Sequence, residues 1–123
     1  MSTVLDNSPF RVSHSPAPAE LVAKYFRALG DLTRVRLLEA LEGSGELSVG
    51  KLAERLDLPQ PKVSKHLACL RWCGFVRTRR EHRTVLYRLA DNRVSQVLDL
   101  GRALLADNAE HVAACGTIDA RGC

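Results

Sequence analysis

The chain has 123 residues, 46% of them apolar, and a net charge of only +4. That is enough for one domain with one modest core, and too apolar for a disordered chain. No apolar run approaches the roughly 20 residues of a membrane span, and the opening MSTVLDNSPFRVSHSPAPAE lacks the basic start and long apolar run of a secretory signal, so a cytoplasmic protein with no membrane partner is expected.

Ser, Pro and Ala dominate Ser13 to Ala19, and residues 1–18 read as a flexible arm. A domain over 19–114 and a short tail over 115–123 follow. Glu20 to Leu29 carries Leu21, Val22, Tyr25, Phe26 and Leu29 at helical spacing, and Gly30 ends that helix. Asp31 caps a second helix, Leu32 to Leu41, with Leu32, Val35, Leu38 and Leu41 on its apolar face. Gly43 and Gly45 break it. Ser48 caps a third helix, Val49 to Leu56. After the turn Asp57 to Gln60, Pro61 suits the first position of a fourth helix that runs to about Cys73, where Gly74 stops it.

Two helices joined by a four-residue turn make a helix-turn-helix, whose second helix reads the DNA major groove. Phe75 to Arg79 and Val85 to Leu89 alternate apolar and polar residues, as paired strands do. Glu81, His82 and Arg83 form the tip between them, and such a basic hairpin is a wing. Asp91 or Asn92 caps a last helix whose stripe runs through Val94, Val97, Leu98, Gly101, Leu104, Leu105 and Val112. That is more apolar face than one small core needs, so Leu21, Tyr25, Val94, Val97, Leu98, Leu104 and Leu105 are the expected contacts with a second copy of the chain. The fold class is mainly α with a two-stranded β-wing, a homodimeric winged helix-turn-helix.

From Gln60 to Arg93 nine Lys or Arg stand against two acids, whereas the remainder carries nine basic and twelve acidic residues. A basic patch on an acidic body is the footprint of a polyanion. On the fourth helix, stepping about 100° per residue from Val63, Leu67 and Leu70 fall on the core side. Pro61, Ser64, Lys65 and Ala68 point away, toward a groove. The candidate DNA contacts are Gln60, Pro61, Lys62, Ser64, Lys65 and His66 from this helix and Arg77, Arg79, Arg80, His82 and Arg83 from the wing. Trp72, in the helix's last turn, is expected to pack.

Lys62, His66, Cys69 and Cys73 form a separate row on the helix's shoulder. Residues four apart hold their Cβ atoms about 5–6 Å from each other, close enough for two thiolates to share one soft ion. The third donor with the best claim is Cys115, near the end of the last helix, which can lie over the partner's shoulder row. Cys123 and His111 are weaker candidates. A buried cysteine can also be a small hydrophobe, and a thiol switch by oxidation or persulfidation is the alternative reading. A thiol enzyme is not expected, because few acid–base partners lie near the pair. GELSVGKL lacks the spacing of a phosphate loop.

ALGDLTRVRLLEAL and LAERLDLPQPKVSKHLACLRWCGFVRTRREHRTVLYRLAD resemble the ArsR/SmtB family of bacterial metal-responsive repressors, over about Leu21 to Val112. The resemblance implies a homodimeric winged helix that binds a palindromic double-stranded DNA operator and is released by metal. The family's arsenic-type site uses C-V-C on the third helix, but Leu47 to Gly50 contains no cysteine. Its zinc-type site uses D-x-H on the last helix, but Asp99 is followed by Leu100 and Gly101. The chain is most similar to the CmtR-type cadmium/lead sensors, which carry C-x-x-x-C in the recognition helix. Cys69 and Cys73 fall on those paired cysteines, and Cys115 falls within a residue or so of the C-terminal one. The implied inducer is Cd(II) or Pb(II), with Zn(II) as a further candidate, in a three-sulfur site shared between protomers.

Overall fold

The computed structural model describes residues 17–121, with side chains to residue 118. Residues 1–16 of the expected arm, and Cys123, lie outside the described residues.

Helix α1 (Pro18–Leu29) opens on a proline in its first turn, and the Glu20 carboxylate accepts the Ala17 N–H at 3.2 Å. Its start therefore reaches into the stretch expected to be arm. Helix α2 (Leu32–Ser44) is capped by Asp31, which accepts the Arg34 N–H at 3.1 Å. It runs through Gly43, longer than expected, and ends only at Gly45, whose φ is +84°. Strand β1 (Leu47–Ser48) leads into α3 (Val49–Leu56), with Ser48 accepting the Lys51 N–H at 3.2 Å. Asp57 takes the left-handed position, φ 54° and ψ 51°, that reverses the chain toward α4 (Gln60–Trp72).

Helix α4 ends in a Schellman motif. Gly74 (φ +83°) donates to the Arg71 carbonyl at 3.1 Å, and Phe75 donates to Leu70 at 2.9 Å. Strands β2 (Val76–Glu81) and β3 (Thr84–Leu89) pair antiparallel, and β1 pairs with the far side of β3 through Leu47–Tyr87 and Ser48–Leu86. The sheet thus has three strands in the order β1-β3-β2, one more than the hairpin alone. The core lies beneath it, where Leu37, Leu38, Leu41, Leu52, Val63, Leu67, Leu70 and Phe75 are at most 1% exposed.

Helix α5 (Asn92–Ala106), capped by Asp91, is followed by α6 (Ala109–Ala114) and α7 (Gly116–Arg121). The expected single last helix breaks at Asp107 and Asn108. There the Asn108 side chain donates to the Leu104 carbonyl at 3.4 Å, a local bond that competes with helix propagation.

Two stripes face away from the core. Leu32 is 65% exposed at the start of α2, although it was expected on the inner face with Leu38 and Leu41. On α1 only Ala28 is buried, whereas Val22, Tyr25 and Phe26 stay exposed together with Val97, Leu100, Leu104 and Leu105 of α5.

Candidate nucleic-acid interface and thiol pair

Helix α4 is amphipathic in the sense its sequence dictates. Val63, Leu67 and Leu70 are wholly buried, while Gln60, Pro61, Lys62, Ser64, Lys65 and Ala68 are exposed. Its first turn, Gln60 to Val63, carries no carboxylate that would repel an incoming phosphate. Trp72, expected to pack, is instead 62% exposed. It follows Ser64 and Ala68 at four-residue intervals on the outer face.

His66 turns toward α2. Its Nδ1 accepts a hydrogen bond from Arg34 Nε at 3.1 Å, and Asp31 Oδ1 lies 3.8 Å from the same nitrogen. Arg34 also donates to the Ala28 carbonyl at 3.3 Å. One guanidinium therefore joins the end of α1, the start of α2 and the middle of α4.

The wing's five candidate contacts do not share one face. Strand alternation places Arg77, Arg79 and Glu81 on one side and Val76, Thr78 and Arg80 on the other. Val76, at 2% exposure, marks the second side as the one that meets the core, and Tyr87 shares that side by pairing with Thr78. Arg80 points to this side. Arg79 is held by the Glu46 carboxylate through bonds of 2.7 and 2.8 Å, and Glu81 lies 3.1 Å from it. It fixes the wing to the segment before β1. Arg77 stands directly opposite Arg88. His82 occupies the first loop position of the hairpin with a positive φ of 57°, and Arg83 follows it, exposed.

Cys69 and Cys73 are free, half-buried thiols on the shoulder between these faces. Burial pushes the Cys73 thiol up from its ordinary value, and Cys69 adds to the rise by charge repulsion and a thiol hydrogen bond; Arg34 and Lys24 pull it partly back. Both sulfurs therefore belong to one small cluster. Cys115, half-buried, follows α6, whose His111 is exposed. Among the described residues no three His, Cys, Asp or Glu of a single chain converge as a metal site.

The expected dimer contacts divide between two environments. Val94 is 7% exposed in the chain's own core, and Leu98 packs against that core. Leu21 is half-buried, whereas Tyr25, Val97, Leu104 and Leu105 are exposed. Tyr25 stacks on Phe75 with ring centroids 4.5 Å apart, beside Gly74 and the end of α4. Sequence reasoning missed the Arg34 bridge to His66, the Arg79 clamp and the exposure of Trp72. Only the last had a local signal, its four-residue spacing from Ala68.

Residues 31–78 match the family described as bacterial regulatory protein, arsR family. The chain is 39% identical over 103 residues to the probable mercury resistance operon repressor of Streptomyces lividans, covering 84% of this chain and 82% of that one. It is 44% identical over 86 residues to the transcriptional regulator CmtR of Mycobacterium tuberculosis, covering 69% and 72%. Among solved structures, one similar fold is the homodimeric winged helix-turn-helix DNA-binding domain, fragment 1–100, of a possible ArsR-family regulator from Mycobacterium bovis. The TM-score is 0.68 at 28% identity, with 81% of this chain and 94% of that one covered.

Proposed function

The chain belongs to the arsR family of bacterial regulatory proteins, winged helix-turn-helix transcriptional repressors that bind DNA, and from that membership we propose that Cys69 and Cys73 make it a metal-sensing repressor. In this reading the metal-free homodimer grips a palindromic operator and dissociates when a soft ion, Cd(II) or Pb(II) with Zn(II) as a further candidate, is bound by thiolates. The observation that carries the reading is the position of the thiol pair. Two neighbouring sulfurs sit on the helix whose outer face, Pro61, Ser64, Lys65 and Ala68, is the one suited to a DNA groove.

The donor set suits a thiophilic ion and not magnesium or calcium. Two thiolates are an incomplete site, and the described residues of one chain supply no third ligand beside them. Cys115 of a second chain is the proposed third donor, with Cys123 and His111 as further candidates. The exposed apolar residues of α1 and α5 support pairing of two chains. A relative named as a mercury resistance repressor supports a thiophilic inducer.

Release requires that the ion prefer the DNA-free form. A preference of about 100-fold is worth ~2.7 kcal/mol, within the usual range of coupling between two sites. Cys69 and Cys73 must shed their protons to bind the ion, and α4 then holds a constrained cluster on the flank of its reading face. The test is Cys69→Ser. It keeps operator binding and loses release by Cd(II), seen as a labelled duplex that stays bound while the wild type lets go. Normal release of the variant by Cd(II) refutes the metal reading. Release of the wild type by oxidant or persulfide, and not by Cd(II), replaces it with the thiol-switch reading.

A further inference from the structure

Trp72 is the chain's single tryptophan, and it stands 62% exposed one turn beyond Ala68. Beside it, Ala68, Arg71, Trp72 and Tyr87 line an open groove of about 440 Å³ between the C-terminal half of α4 and strand β3. One water takes up ~30 Å³, so the groove has room for a much larger group. We propose that this groove seats the sugar–phosphate backbone of the operator duplex, with the Trp72 ring against a deoxyribose and Arg71 and the Tyr87 hydroxyl on the phosphate. The proposal rests on the DNA-binding reading above and extends its footprint by about one helical turn past Ala68.

Three observations name DNA as the occupant. The first is continuity. Ser64, Ala68 and Trp72 succeed one another at four-residue spacing, so a duplex held against the N-terminal half of α4 runs on toward Trp72. On the opposite wall, the sheet face that carries Tyr87 also carries Thr78 and, nearer the wing tip, Arg80. A backbone strand lying between α4 and the wing would meet donors along that whole path.

The second is charge. None of the four lining residues is an acid. The two acids between Gln60 and Arg93 are each tied to an arginine, Glu81 to Arg79 at 3.1 Å and Asp91 to Arg93 at 2.8 Å. Neither Arg71 nor Arg80 pairs with a carboxylate among the described residues. The third is chemistry. Guanidinium and phenol O–H are donors that suit a phosphate, and an indole face beside them suits the deoxyribose joined to it, which is apolar on its ring faces.

The test uses the full-length reduced protein without metal and a fluorophore-labelled duplex that the wild-type protein has selected from a random pool. Duplex anisotropy reports binding, while tryptophan emission and its quenching by acrylamide report Trp72 alone. The expected result is a blue shift and a fall in acrylamide quenching that saturate together with the anisotropy. Arg71→Ala is expected to lower the slope of log affinity against log salt by about 0.9 for each phosphate it no longer neutralises, hence about 1.8 for a dimer, with sequence preference unchanged. If the anisotropy saturates while Trp72 remains equally accessible, the seat is overturned and the repressor reading stands. If Trp72 becomes shielded as protein concentration rises without DNA, the groove belongs to a second copy and the proposal also fails. If the anisotropy never rises, both readings fall.

Discussion

Replacing Cys73 by serine is expected to remove one proton from the exchange that accompanies metal binding, and the size of the effect follows from the thiol's surroundings. Burial, and then the neighbouring Cys69, hold the Cys73 thiol above its ordinary value of 9.0. Between about pH 6 and 8 the side chain is therefore protonated, and each ion bound to its sulfur expels one proton. The sign is fixed: affinity strengthens as pH rises, because the competing proton becomes scarcer. From this residue alone the change is tenfold per pH unit, about 1.4 kcal/mol, or roughly a hundredfold from pH 6 to 8. The assay is competition for Cd(II) against a chelator of known affinity at several pH values, with log affinity plotted against pH. Cys73→Ser should lower the slope by one. The wild-type curve should keep rising to above pH 8, because the raised thiol has not yet titrated. Equal slopes for the two proteins would refute the assignment of Cys73 as a ligand. A wild-type curve that levels off below about pH 8 would refute the raised thiol.

Two further outcomes follow from the backbone and the caps. His82 holds a positive φ of 57° at the hairpin tip. This conformation costs a residue with a Cβ about 1–2 kcal/mol, partly offset in glycine by its greater loss of freedom on folding. His82→Gly should therefore raise the melting temperature by a few degrees in the absence of DNA, and a lower value would mean that the imidazole itself holds the turn. Asp91 caps α5, and its carboxyl is held down from 3.8 to about 2, first by the Arg93 side chain and then by the Arg93 N–H. A depressed carboxyl stabilises the fold fully above its unfolded value and loses that contribution as pH falls through about 2. Thermal melts of Asp91→Asn should accordingly show lower stability near neutrality and a shallower decline in acid than the wild type, and parallel declines would count against the cap's role.

The locally encoded parts of the site were legible. Asp31 and Ser48 cap the helices they were expected to cap, Asp91 and not Asn92 caps α5, and Gly74 stops α4 because only a left-handed residue lets Phe75 bond back to Leu70. The wholly buried trio Val63, Leu67 and Leu70 follows directly from the period of the helix, which leaves Lys65 outward and Cys69 and Cys73 on the shoulder. Strand β1 was not legible. Two residues carry no pattern of their own, and Leu47 and Ser48 become a strand only because β3, some forty positions later, offers them partners. The break after Ala106 was missed for a different reason. The apolar stripe continues across it to Val112, and periodicity outweighed the weaker signal of Asn108.

From its sequence alone the protein was committed to a helix-turn-helix with a basic hairpin and a pair of thiols four residues apart. Caps, glycine stops and apolar periods act within a turn or two of chain, where every interacting group can be read directly. Tertiary structure decided where the charges are spent. Arg34 is bound to His66 across 32 positions and Arg79 to Glu46 across 33, while Arg71 and Trp72 stand beside Tyr87 along an open groove. Those pairings depend on which surfaces packing brings together, because a donor meets an acceptor, or a cation an anion, wherever the core leaves the two adjacent, however far apart they lie along the chain.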